Sequence, residues 1–223
     1  MYNFQTQTPP DYLRIAWQSA LASGLCLGLP AGLLFWLILI REIGRVPFLK
    51  DLVVIFQSQG LNSIFILLLC SLLWSFLLGK ISGYRPWWKI ALAVIAGILT
   101  GWLSPLSNID SWFGDSLPVH FLHAMFMCGA IGSVTMCVGL ACGLLLRNAK
   151  AALVLSVATA AVSVLAALLT IAFLDQLGIR VGAGNLAMSR VTAMTLFTAS
   201  VAGGMVLGVS FSRFVAQEQI RHS

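Results

Sequence analysis

Six stretches of this chain, at residues 17–40, 62–78, 88–104, 119–146, 151–173 and 191–211, are apolar and have no Asp, Glu, Lys or Arg at their centres. A helix of about 20 apolar residues crosses a hydrocarbon layer about 30 Å thick, so each stretch qualifies as a span. Inside lipid the backbone must satisfy its own N–H and C=O groups, which leaves only helices and closed barrels. A barrel would show alternating strands of about ten residues, and the sequence has none. A soluble fold is excluded by composition: with 59% hydrophobic and 9% charged residues, a chain of 223 residues has too little polar surface to cover a globule. The expected fold is an all-α integral membrane protein with six transmembrane helices. It forms a single polytopic domain over residues 1–223, with tails at 1–16 and 212–223 and the bundle at 17–211.

The spans follow a pattern that occurs three times. Arg14, Lys89 and Lys150 each open an alanine-containing apolar run, and Lys80, Arg147 and Arg213 each close a second run after a loop. The closing residues are almost evenly spaced and the opening ones less so, which suggests three pseudo-repeated helical hairpins. Lys and Arg collect in the cytoplasmic loops next to spans. One side carries Arg14, Lys80, Arg85, Lys89, Arg147, Lys150, Arg213 and Arg221 against Asp11 and Glu218, whereas the charges of the other side cancel. Both termini are therefore expected to be cytoplasmic, in a cytoplasmic (inner) membrane. The net charge of +6 then faces anionic headgroups, so the partners are the lipid bilayer and other membrane protein subunits, and not nucleic acid.

The polar start, with Pro9 and Pro10 and no basic n-region, does not read as a signal peptide. The non-cytoplasmic loops, about 41–61, 105–118 and 174–190, are too short for another domain. Residues 48–56 could lie as a short helix in the interface or equally form an early turn of the second span, and 108–114, which include Trp112, could lie on the bilayer surface or receive a partner. Trp17, Trp87 and Trp88 suit an interfacial aromatic belt.

Helix packing is signalled by glycines at four-residue intervals: Gly24, Gly28 and Gly32, then Gly97 with Gly101, Gly139 with Gly143, and Gly204 with Gly208. Small residues at this spacing let helix backbones approach where lipid offers little hydrophobic drive for association. In the fifth span alanines take this place. Pro30 should kink the first span or free a carbonyl there. Cys26, Cys70, Cys128, Cys137 and Cys142 all fall in apolar runs without ligand spacing and read as small buried hydrophobes.

Chemistry is sparsely signalled. H-E-x-x-H, G-x-S-x-G, P-loop and dinucleotide motifs are missing, and Gly182-Ala-Gly184-Asn185 reads as a turn. No catalytic or metal-binding residue is expected. Ion-coupled carriers usually hold an ionisable residue at membrane depth, and here every charge sits at a span end or in a loop. His120 and His123, three apart on one helix face, are the candidate cofactor ligands, for haem or a chlorophyll-type pigment, or for a metal shared with Asp110 or Asp115. The blander reading is a hydrogen-bonded interfacial pair. Ser163, Thr192 and Thr195 are a candidate polar lining for a neutral solute, against the simpler account of interhelical hydrogen bonding. The expected function is a non-catalytic subunit or accessory protein of a larger membrane complex. The alternatives are a small permease or channel and, more remotely, a haem- or pigment-binding subunit.

Overall fold

The computed structural model describes residues 11–33, 60–106, 118–179 and 185–222, and among these it is all-helical, with no strand. Helix α1 (Tyr12–Ser23) runs into a π-helical turn at Gly24–Gly28 and is helical again over 29–33. Then come α2 (Gly60–Ser82), α3 (Trp87–Leu103), α4 (Val119–Leu145), α5 (Ala149–Gln176) and α6 (Asn185–His222). Three helical segments are long and apolar enough to cross a membrane: Phe121–Leu145 in α4, Ala149–Gln176 (α5) and Arg190–Ile220 in α6. The apolar parts of α2 and α3, Leu68–Ser82 and Trp87–Leu103, are shorter. Residues 34–40 of the first span, the interfacial segment 48–56, the loop 108–114 with its Asp110, Asp115 just after it, and Gly182–Gly184 lie outside the described residues.

Local chemistry sets the helix ends. Asp11 caps α1, its Oδ1 accepting from the Arg14 N–H at 3.2 Å. Asn148 does the same for α5, accepting from Lys150 and Ala151 at 3.0 and 3.2 Å. Gly178, at φ +77°, ends α5 in a Schellman turn in which Ile179 N–H reaches Leu174 O and Gly178 N–H reaches Asp175 O. Proline at position 30 has no N–H for the carbonyl four residues back. Just ahead of it the ladder widens, and Leu29 N–H donates to Gly24 O, five residues back. The expected disturbance at Pro30 takes this form.

Each helix packs on the next in sequence, and α1 closes the ring against α6, which also touches α2 and α4. Two of the expected hairpins, α3 with α4 and α5 with α6, pack extensively, but the pairing is not confined to hairpins. The most extensive contact joins α4 to α5, from different expected hairpins, and α1 lies more against α6 than against α2. Three residues separate α4 from α5, and Gly139 and Gly143 let the two backbones meet. The main core draws on every helix and lies toward the end where the α2–α3 and α4–α5 turns meet: Ala22, Trp74, Leu78, Ile90, Val94, Val138, Cys142, Leu155, Leu207 and Phe211. Apolar side chains cover the outside, including a stripe on α1 and its continuation: Leu13, Trp17, Leu21, Leu25, Leu29 and Leu33.

Helix α6 has 38 residues, about 57 Å, and continues as helix through residues 212–222, the segment read from sequence as a tail. Ser212 and Val215 are buried there, so packing against the bundle holds the helix beyond its apolar run.

Candidate functional site

The glycines sit at the seams between helices. A Cβ on Gly97 would come within 2.6 Å of Val138 Cα, and one on Gly101 would overlap Val134 Cα, so α3 rests on the α4 backbone. Gly139 and Gly143 place α4 in the same way against Leu155, Ser156 and Ala152 of α5. Gly24, Gly28 and Gly32 face Phe197, Ser200, Val201 and Ala193 of α6. These pairings make α1 and α6 antiparallel, with Gly32 beside Ala193 and Gly24 beside Val201.

On the same seam, the hydroxyls of Ser19 and Ser23 occupy the space where Cβ atoms of Gly208 and Gly204 would stand. Ser23 Oγ also donates to Ser200 O at 2.8 Å across the seam and lies 3.1 Å from Ala20 O of its own helix. Sequence reasoning did not single out Ser19 and Ser23. Their signal was nonetheless present, because Ser19, Ser23 and Gly24 continue the small-residue stripe of the first helix toward its start.

His123 is 6% exposed, and its Nε2 lies 3.3 Å from the Oγ1 of buried Thr192, joining α4 to α6. Which atom donates follows the histidine tautomer. His120 stands one turn earlier on α4, with its side chain outside the described residues. For His123 to ligate through Nε2 it would have to give up the Thr192 contact. No group of three His, Cys, Asp or Glu side chains among the described residues could hold a metal ion.

Ser163, Thr192 and Thr195 are all buried in the last helical pair. Ser163 and Thr159 of α5 face Gly203 of α6. Among the described residues, the hydroxyls of Thr159, Ser163 and Thr195 have no hydrogen-bond partner. Nearby, Thr170 and Thr198 pair at 2.7 Å between the two helices. These hydroxyls do not make one continuous path. Met127, Ile131, Ala167 and Ala199 form an apolar cluster, and Ala199 is one turn from Thr195 on one side and one turn from Gly203 on the other. Ala167 likewise stands one turn beyond Ser163.

A cleft of about 550 Å³ opens at the basic end of the bundle, between the α2–α3 turn, the α4–α5 turn and the last turns of α6. Gly83, Tyr84, Arg85 and Pro86 form one wall, Leu145, Leu146 and Arg147 another, and Val215, Glu218 and Gln219 the third. Arg147 holds a left-handed φ of +50°, unusual for a residue with a side chain, and its N–H donates to Leu144 O at 3.0 Å. Burial pushes the Tyr84 phenol up, while the charge of Arg147 acts in the opposite sense. The Tyr84 ring packs edge-on to Phe211, with centroids 5.6 Å apart. Around the cleft, Lys80 Nζ lies 4.7 Å from the centre of the Phe76 ring and Lys89 Nζ 5.5 Å from that of Trp88. Sequence reasoning placed Arg85 and Arg147 in the basic belt but could not place them on one cleft, because the turns that bring them together are about 60 residues apart.

The chain matches no protein-family profile, no curated protein and no solved structure.

Proposed function

We propose that this chain is a non-catalytic integral subunit of a larger assembly in a cytoplasmic (inner) membrane, with six spans and both termini on the cytoplasmic side. The observation that carries this reading is the closed interior. Glycines set the seams at backbone contact, and the Met127, Ile131, Ala167 and Ala199 cluster separates the inner hydroxyls. A body packed in this way suits a scaffold better than a passage. The antiparallel meeting of α1 and α6 supports an even number of crossings, and Lys80, Lys89, Trp87 and Trp88 support an interfacial belt at the basic end. Gentle extraction of the tagged chain from its own membrane, followed by native mass analysis, tests the subunit reading. Stoichiometric membrane partners are expected, and a lone monomer or homo-oligomer would overturn it.

A second reading, a small permease or channel for a neutral or apolar solute, is favoured by one observation. Thr159, Ser163 and Thr195 bury hydroxyls without partners, and buried polar groups normally have them. Liposome flux that survives in Ser163→Ala, Thr192→Val and Thr195→Val variants would remove this lining. For a haem or pigment on His120 or His123, the absorbance spectrum of protein purified without added cofactor is decisive: no Soret or chlorin band would dismiss it.

A further inference from the structure

We propose that the cleft at the basic end binds one phosphate-bearing anionic headgroup, held between the guanidinium groups of Arg85 and Arg147. Two arginines from separate turns line one cavity of about 550 Å³, a volume within the range of small-ligand sites. Guanidinium offers a planar fork of donors that matches phosphate oxygens, and such charge-assisted bonds are among the stronger ones. Leu145, Leu146 and Val215 give the cleft an apolar side, where the first carbons of an acyl chain or glycerol backbone can rest. Gln219 on the α6 wall brings an amide, which suits the hydroxyls of a glycerol headgroup.

The level of the cleft fits a lipid. Lys80 and Lys89, lying over aromatic rings, and the exposed Trp87 and Trp88 surround it, and this mixture of amphipathic side chains marks the headgroup region of a bilayer. A general basic belt attracts anionic lipids without order, each residue adding its own attraction. The cleft differs in that it brings two arginines from separate turns onto one lining. The backbone of Arg147 is held by its N–H bond to Leu144 O and by the Asn148 cap that follows, and the backbone of Arg85 lies in a turn where Trp87 N–H reaches Arg85 O at 2.8 Å. This inference rests on the membrane placement of the basic end and not on the subunit reading, so failure to find partner subunits would leave it standing.

The test uses the full chain purified in a neutral detergent. Binding is followed by thermal shift and native mass analysis during titration with phosphatidylglycerol, phosphatidylcholine and inorganic phosphate. Phosphatidylglycerol is expected to bind at least about tenfold more tightly than phosphatidylcholine. The paired variant R85Q/R147N removes both guanidinium contacts and should lose at least about tenfold in affinity. The control pair K89Q/K150Q, at the same end but outside the cleft lining, should change by less than about twofold. Asparagine is chosen at position 147 because it tolerates positive φ, and R85Q alone serves if the pair does not fold. Inorganic phosphate binding with the same variant pattern, in the absence of lipid preference, would keep the site and assign it to a soluble phosphate ester. Equal losses in both pairs would show a diffuse belt and overturn the proposal, as would the absence of binding by any phosphate-bearing probe.

Discussion

Two faces of α6 use small residues to different ends. Toward α1, Gly204 and Gly208 receive the hydroxyls of Ser23 and Ser19, and Ser23 also bonds across the seam to Ser200 O. Toward α5, Gly203 receives Ser163 and Thr159, but their hydroxyls find no partner, and neither does that of Thr195. Each face supplies one interhelical side-chain hydrogen bond together with close backbone approach, Ser23 to Ser200 O on the first and Thr170 with Thr198 on the second. The second, however, leaves the hydroxyls of Thr159, Ser163 and Thr195 without a partner among the described residues, and the first only that of Ser19. Without a hydrophobic drive between helices in lipid, contact of this kind has to come from packing, with hydrogen bonds as a modest addition. The comparison implies that the seams should respond steeply to added volume and only weakly to removed hydroxyls.

The steepest response is expected where backbone meets backbone. In Gly101→Val and Gly143→Val the new side chain would overlap Val134 and Ala152 main-chain atoms, and neither helix can move without disturbing its other neighbour. A loss of about 3 kcal/mol or more is expected, read as a fall in thermal unfolding temperature in detergent. A loss below about 1 kcal/mol would show that these helices do not press on one another as the structure has them.

The α1 seam should respond less, because its obstacle is a side chain. Gly208→Ala would meet the Ser19 hydroxyl and Cβ and should cost about 1–3 kcal/mol by overpacking. Adding Ser19→Gly makes room again, and more than half of the loss should return in the double variant. Independent, additive losses would break the pairing of Ser19 with Gly208.

The glycine stripes were legible in the sequence because a four-residue spacing repeats along one helix face, and all nine residues named on that ground stand at seams between helices. Helix positions were legible from apolar runs. The extent of α6 was not, since Gln217, Glu218 and Gln219 read as a tail until Ser212 and Val215 are seen buried against the bundle. The meeting of His123 with Thr192 joins residues that sequence had placed in two unrelated candidate sites, a cofactor pair and a solute lining. No periodicity along one helix states which residue of another helix it will face. The basic cleft escaped notice for the same reason, as three distant turns build it.

A double-mutant cycle on His123→Leu and Thr192→Val measures the bond between α4 and α6. Hydrogen bonds between membrane helices average about 0.6 kcal/mol, and a coupling of that order is expected from the 3.3 Å contact. Zero coupling would mean that packing alone holds the two residues together. A coupling far above about 2 kcal/mol would mean that the pair holds something else, such as a shared ligand, and would reopen the cofactor reading.

The smallest effect distinguishes the two faces most sharply. Ser163→Ala removes a buried hydroxyl that has no partner and leaves its place beside Gly203 open. An unsatisfied buried polar group opposes folding, by about 1–3 kcal/mol in water-soluble proteins and by less where the unfolded reference state also lies in lipid. The variant should therefore be as stable as the parent or more stable by up to about 1 kcal/mol. Ser23→Ala, which removes a hydroxyl bonded to Ser200 O, should be less stable by about 0.6 kcal/mol. If Ser163→Ala instead destabilises the protein as Ser23→Ala does, the hydroxyl has a partner that is not part of the chain. A water or polar solute held between α5 and α6 would supply it, and the balance would move from a scaffold toward a passage.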